Sequence, residues 1–297
     1  MRARDGFSSY NPLFLIAFFI FVVLVTMIVR HPVLGAASFT GSLFYLIYLK
    51  GKKALLFLLK FVLPVMILTM IINPAFNHRG VTPLFYVNDN PVTLESMIYG
   101  LYAAFIFGAV MMWFSAYNEI MTTDKFVYAF GRLLPALSRV LSMALRFIPR
   151  FSRHIRTVSS ARRCLGMSPE EGSIMRRIRN GAVIFSSTVT WALENSVDTA
   201  DAMASRGYGT GHRTTYATYR FDRRDAVMSV ITAALAILVI VLLWRGNLYM
   251  QFYPSIDFNP VTPASVICGT VFVLLCWLPL IIDFQETVTW RYLTSKI

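Results

Sequence analysis

The sequence predicts an all-α polytopic membrane protein with about six transmembrane helices and long amphipathic cytoplasmic helices inserted between the fourth and the fifth. Three observations carry that prediction. The 297 residues are 56% hydrophobic and only 14% charged, with a mean hydropathy of +0.58, far too apolar for an ordinary soluble domain. Six apolar runs have the length needed to cross a hydrocarbon core of roughly 30 Å. A third stretch, residues 118–225, is rich in arginine yet repeats apolar residues at helical spacing. The chain therefore divides into N-terminal transmembrane helices over 1–117, a cytoplasmic helical region over 118–225 and C-terminal transmembrane helices over 226–297.

In chain order the runs are Leu13–Val29, Val33–Leu49, Ala54–Ile72, Ser96–Tyr117, Ala226–Trp244 and Ala264–Ile282. The first is too long for a cleavable signal peptide and leads through "VRHPVLGAAS" directly into a second span, so it is expected to be retained. Lys60 lies near the start of the third run, where its long side chain can reach back to the interface. Arg2, Arg4, Lys50, Lys52 and Lys53 belong on the cytoplasmic side by the positive-inside rule. The segments left outside contribute only Arg30, Arg79 and Arg245. Both termini are thus expected in the cytoplasm and the chain in the plasma membrane.

The net charge of +13 follows from the same rule, so nucleic acid is not an expected partner. Residues 118–225 hold seventeen Lys and Arg against nine Asp and Glu. Cys164, Cys268 and Cys276 have no metal-ligand spacing and read as small packing residues. His31, His78, His154 and His212 fall outside the spans. No G-x-x-x-x-G-K-[ST] loop occurs, and "GYGTG" follows a helix where a dinucleotide fingerprint must follow a strand, so neither nucleotide-binding reading stands.

Within 118–225, Leu133, Leu137, Val140, Leu141, Ala144 and Ile148 form one apolar stripe, continued by Phe151, Ile155, Val158 and Leu165 beyond a kink expected at Pro149. Arginines fill the opposite face. Gly166 is placed to end this helix, and "SPEE" reads as a new start, with Ser168 as N-cap, Pro169 at the first helical position and Glu171 completing a capping box. Gly181 is expected to interrupt the new helix, a further one running from about Ala182 to Arg206. There Leu193, Val197, Ala200 and Ala204 make a stripe, and Glu194, Asp198 and Asp201 make a carboxylate face able to pair with nearby arginines. Two helices thus end in a basic residue followed by glycine, "SSARRCLG" and "AMASRGYG". Capping alone explains each end: arginine suits a helix C-terminus and glycine takes the left-handed position after it.

The chain resembles, over nearly its whole length, the transmembrane T component of energy-coupling factor (ECF) transporters, the EcfT/CbiQ family. The outer loop "INPAFNHRGVTPLFY" and the span "VTLESMIYGLYAAF" are similar to that family. "LLPALSRVLSMALRFIPRFSRHIRTVSSARRCLG" and "ENSVDTADAMASRGYG" resemble its two coupling segments more specifically. The resemblance implies a non-catalytic subunit of an ATP-driven importer of a vitamin or transition-metal ion. Its coupling helices would dock on two ABC-type ATPases, and its membrane face would hold a substrate-binding S component. ATP would sit on the ATPases, with no cofactor on this chain.

The family carries an Ala-Arg-Gly signature at each coupling tip. Carried over, the second docking motif is Ala204, Ser205, Arg206 and Gly207, with Ser205 in place of alanine. The first comprises Ala161, Arg162, Arg163, Leu165 and Gly166, with Cys164-Leu165-Gly166 where Ala-Arg-Gly is expected. At about 100° per residue, Arg162 lies about 60° from Leu165 and Arg163 about 160° away. Arg162 is therefore expected to supply the charge and Arg163 to pair elsewhere, the alternative being an apolar contact by Leu165. A different class of reading, a permease recognising its own solute, calls for polar groups near mid-membrane. The first, second and fourth spans show none strongly.

Overall fold

The computed structural model describes residues 6–29, 31–87, 90–133, 135–168, 170, 172–208, 219, 221–245, 250–256 and 262–294. The chain forms two compact units, Met1–Lys125 with Tyr219–Ile297, and Phe126–Thr218. Arg30, Pro169 and Glu171, together with His212, lie outside the described residues.

The first unit is a helical bundle. Helix α1 (Pro12–Ile28) starts where the Asn11 side chain accepts from the Leu13 N–H and Pro12 occupies the first turn. Helix α2 (Pro32–Lys50) ends at Gly51, whose φ of 56° turns the chain into the next span. That span comprises α3 (Lys52–Phe57), a wider π turn over Leu58–Val62, and α4 (Leu63–Phe76). The wide turn ends two residues before Pro64, which has no N–H to return to the preceding turn. A two-stranded antiparallel hairpin, β1 (Pro83–Val87) and β2 (Asn90–Thr93), then leads into α5 (Leu94–Ile120). Thr93 caps α5 by accepting from the Ser96 N–H. The remaining helices of this unit are numbered after those of the second: α9 (Arg223–Trp244) and α10 (Pro263–Thr294).

Among the described residues, five helical segments are long and apolar enough to cross a membrane: Pro32–Lys50, Lys52–Phe76, Leu94–Ile120, Arg223–Trp244 and Pro263–Thr294; Pro12–Ile28 is a shorter apolar helix. The chain is a polytopic helical membrane protein. All six predicted runs lie on these helices. The last extends twelve residues beyond the expected end at Ile282, because polar Asp283, Gln285 and Glu286 interrupt the apolar run without breaking the helix.

The core gathers around Trp113 of α5, fully buried among Phe18 and Phe19 of α1 and Tyr45 of α2. Its indole N–H donates to Ser38 Oγ at 3.0 Å, and Ser38 meets Thr26 Oγ1 at 2.8 Å. Ser42 donates to Met112 Sδ at 3.8 Å. The first, second and fourth spans therefore do hold buried polar groups, but hydroxyls and an indole that satisfy one another across helices, the usual use of such groups in a membrane bundle. Two close approaches need glycine. A Cβ on Gly108 would meet Met66 Sδ at 2.8 Å and the Phe39 ring at 2.9 Å, and one on Gly41 would meet Cys276 Cβ at 3.2 Å.

In the second unit, α6 (Thr123–Leu133) runs in from the bundle and is followed by α7 (Pro135–Cys164) and α8 (Ile174–Ser205). Helix α7 is continuous through Pro149. Helix α8 corrects two expectations. It begins at Ser173, whose side chain accepts from the Arg176 N–H, rather than at Ser168, and it passes through Gly181 without interruption. An interior glycine costs only about 1 kcal/mol relative to alanine, which a helix of 32 residues absorbs.

Candidate functional site

Helices α7 and α8 pack through one stripe of α8, in which Asn180, Ile184 and Thr188 are buried and Trp191 is partly so. Trp191 stacks on His154 of α7 with ring centroids 4.2 Å apart and planes 7° from parallel, and meets Phe151 edge-on at 6.0 Å. His154, which the sequence leaves without a role, thus serves as a packing surface.

Both helices end in the same backbone motif. At the end of α7, the Met167 N–H donates to the Arg162 carbonyl at 2.9 Å and the Gly166 N–H to the Arg163 carbonyl at 3.0 Å. At the end of α8, the Tyr208 N–H donates to the Met203 carbonyl at 3.1 Å and the Gly207 N–H to the Ala204 carbonyl at 3.0 Å. Gly166 and Gly207 each have φ of 69°. These are paired Schellman caps, in which glycine accepts the left-handed conformation at no steric cost. The register makes Leu165 and Arg206 equivalent: each is the last residue before the left-handed glycine.

Around the two ends the side chains differ. At the first, Asn180 is a hub: its Oδ1 accepts from Arg162 Nη2 at 3.3 Å and its Nδ2 donates to the Ser168 carbonyl at 3.1 Å. Arg162 also reaches Met167 Sδ at 3.7 Å, and Arg176 reaches the Gly166 carbonyl at 3.5 Å. Arg163 pairs with Glu170 at 2.8 Å, both side chains more than half exposed. Arg163 does pair elsewhere, as the spacing predicts, but Arg162 is turned back on its own unit and does not stand free beside Leu165. Leu165 is itself 72% exposed. Asn180 was missed in the sequence, where its only signal is a small amide inside the arginine run "RRIRNG".

At the second end, Ala204, Ser205, Arg206 and Gly207 are all exposed. Ser205 Oγ donates back to the Ala202 carbonyl at 3.1 Å, and among the described residues the Arg206 guanidinium has no hydrogen-bond or ion-pair partner. Ala161 of the first end is likewise exposed. Glu194, Asp198 and Asp201 project from α8 into solvent, and among the described residues none forms an ion pair. The expected pairing with nearby arginines is not made there: the facing stripe of α8 is occupied by Ile184, Thr188 and Trp191. Two exposed ends, with leucine before the glycine at one and arginine at the other, are thus displayed by one helical pair. Asn180 lies beside the first end and Arg206 forms the second, so α8 separates them by about 39 Å at about 1.5 Å per residue.

The family model described as CbiQ, cobalt transport protein, matches residues 9–216, and so covers both ends. The chain belongs to this family. It is 27% identical over 210 residues to the energy-coupling factor transporter transmembrane protein EcfT of Lactococcus lactis, covering 66% of this chain and 74% of that protein. It is 25% identical over 249 residues to the EcfT of Staphylococcus aureus, covering 77% and 90%. A Mycoplasma pneumoniae protein described as an uncharacterized MG181 homolog is 24% identical over 179 residues, and there the match spans 56% of this chain and 41% of that protein. The resemblance drawn from the coupling segments and the family match agree: this is a transport protein of the EcfT type.

Proposed function

We propose that the chain is the coupling subunit of an ECF-type importer, carrying ATP-driven movement from two ABC-type ATPases to a membrane-embedded S component that holds a vitamin or transition-metal ion. The ends of α7 and α8 are the docking points. The subunit itself is non-catalytic and binds no cofactor, ATP residing on its partners, and both termini face the cytoplasm together with the coupling unit. The observation that carries this reading is the pair of identical Schellman caps, one ending in Arg206 and the other in Leu165, on a helical pair of a transport protein. Arg206 offers a planar five-donor fork suited to carboxylates and carbonyls in a partner's groove, and Leu165 offers an apolar knob.

The test is Arg206→Glu in protein purified from native membranes. The substitution leaves the body of α8 untouched, so insertion and S-component association are expected to persist while affinity for the ABC-type ATPase docked at the α8 end falls by at least tenfold. A contact of this kind is typically worth about 2 to 5 kcal/mol once one partner is removed. ATPase association equal to that of the unaltered chain would remove Arg206 from the docking role.

A further inference from the structure

In the described hexapeptide that precedes α1, Gly6–Asn11, the residues Gly6, Phe7, Tyr10 and Asn11 are buried, Ser8 is half-buried and Ser9 is exposed. A 3₁₀ turn over Phe7–Ser9 precedes α1, and the Phe7 side chain is fully enclosed by Tyr10, Phe14, Phe18, Phe19 and Tyr45, with ring centroids 5.2 to 6.3 Å away. An aromatic anchor of this size fixes the turn in the bundle. The backbone and side chains of this hexapeptide then reach three other parts of the unit. The Phe7 N–H donates to Asp283 Oδ1 of α10 at 2.6 Å. Gly6 lies so close to Glu286 of α10 that a Cβ there would collide with its carboxylate.

The other two contacts fall at special places in the chain. Lys125, only 6% exposed, donates from Nζ to the Ser8 carbonyl at 2.6 Å, to Ser8 Oγ at 2.8 Å and to the Ile120 carbonyl at 3.1 Å. It is the last residue of the first unit before the chain leaves for the second. On return, the Asn11 N–H donates to Asp225 Oδ1 at 3.4 Å, and Arg224 Nε donates to Tyr10 Oη at 3.1 Å with its guanidinium 4.5 Å over the Tyr10 ring. Arg224 also pairs with Glu286 at 3.4 Å. Tyr219, the first residue after re-entry, is pushed above the ordinary phenol range by burial and by the Asp124 carboxylate. The exit and the re-entry are therefore both held by the segment Gly6–Asn11, through charge-assisted contacts that are buried at Lys125 and Asp225, where such contacts are stronger than in water, and more exposed at Arg224.

We propose that Gly6–Asn11 is a clasp that joins the exit at Lys125 and the re-entry at Arg224–Asp225 into one rigid base for the coupling unit. Lys125, Arg224 and Asp225 are its positioning residues. The clasp rests on the coupling reading for its purpose, but its existence is a property of this chain alone: a motion entering through the second unit meets two roots that move together.

Hydrogen exchange on the purified full chain in lipid nanodiscs, with no ATPase present, tests the clasp separately from docking. In the unaltered chain the Phe7 and Asn11 amides are expected to exchange at least a hundredfold more slowly than in an unstructured peptide. Lys125→Met is expected to speed exchange at least tenfold in residues 6–11 and also at the other root, residues 221–228, while α2 and α8 keep their rates. Asp225→Ala serves if Lys125→Met does not insert: it should loosen 6–11 and carry that loosening to 121–127. Unprotected Phe7 and Asn11 amides in the unaltered chain, or loosening that stays at the substituted root, would overturn the clasp. Failure of the Arg206 docking test would leave these exchange rates unchanged.

Discussion

The ends of α7 and α8 share a backbone and differ in everything else. Each closes with the same two hydrogen bonds and a glycine at φ of 69°, yet the residue before the glycine is leucine in one and arginine in the other. The comparison separates two explanations that the sequence leaves level. If arginine were there to cap the helix, the end carrying Leu165 would lack something, but its cap is complete. The backbone cap thus does not require arginine at this position, and Arg206 is exposed without a partner among the described residues; under the proposed function it serves a contact made outside this chain. The first end, conversely, has turned its arginines to internal use: Arg162 braces Asn180 and Arg163 pairs with Glu170.

The sharpest way to break this contrast is Asn180→Ala. It removes an acceptor from Arg162 and a donor from the Ser168 carbonyl, both at a buried position, and should weaken the first end by about 1 to 3 kcal/mol. Hydrogen exchange should rise over residues 162–170 and stay unchanged over 203–208; equal change at both ends would mean that the brace is not local. Next in size, Gly166→Ala and Gly207→Ala each force alanine into the left-handed region. Each should cost about 1 kcal/mol, by the same amount at the two ends, as read from exchange of the Met167 and Tyr208 amides. Unequal costs would show that the two caps are not equivalent. Smallest of all, Arg206→Leu converts the second end to the first. Losing a favourable macrodipole interaction there should change its exchange stability by less than about 1 kcal/mol, and a larger loss would restore the capping explanation.

Much of the bundle was legible in the sequence because an apolar run of membrane length has few other uses; all six runs lie on helices. The chain's polarity within those runs was not legible. Thr26, Ser38 and Trp113 sit on three different helices, and only packing reveals that they bond to one another. The same holds for the clasp, where Phe7 and Asp283 are separated by nearly the whole chain. At the candidate site the glycine ends were readable from local rules, since a Schellman cap is decided within six residues. The start of α8 was not, because two serines five residues apart offer competing caps and the winning one, Ser173, lacks the fuller signature that surrounds Ser168. The turn of Arg162 back onto its own unit depended on Asn180, a residue that no spacing rule selects.

The central claim is that the two ends are separate docking points, one for each of two ATPases, and counting bound ATPases tests it most directly. Native mass spectrometry of the complex purified from its own membranes should find two ABC-type ATPase subunits per copy of this chain. Leu165→Glu alone and Arg206→Glu alone should each reduce that number to one, and the two together should reduce it to none, with the S component retained throughout. Two ATPases still bound to the doubly substituted chain would contradict the account.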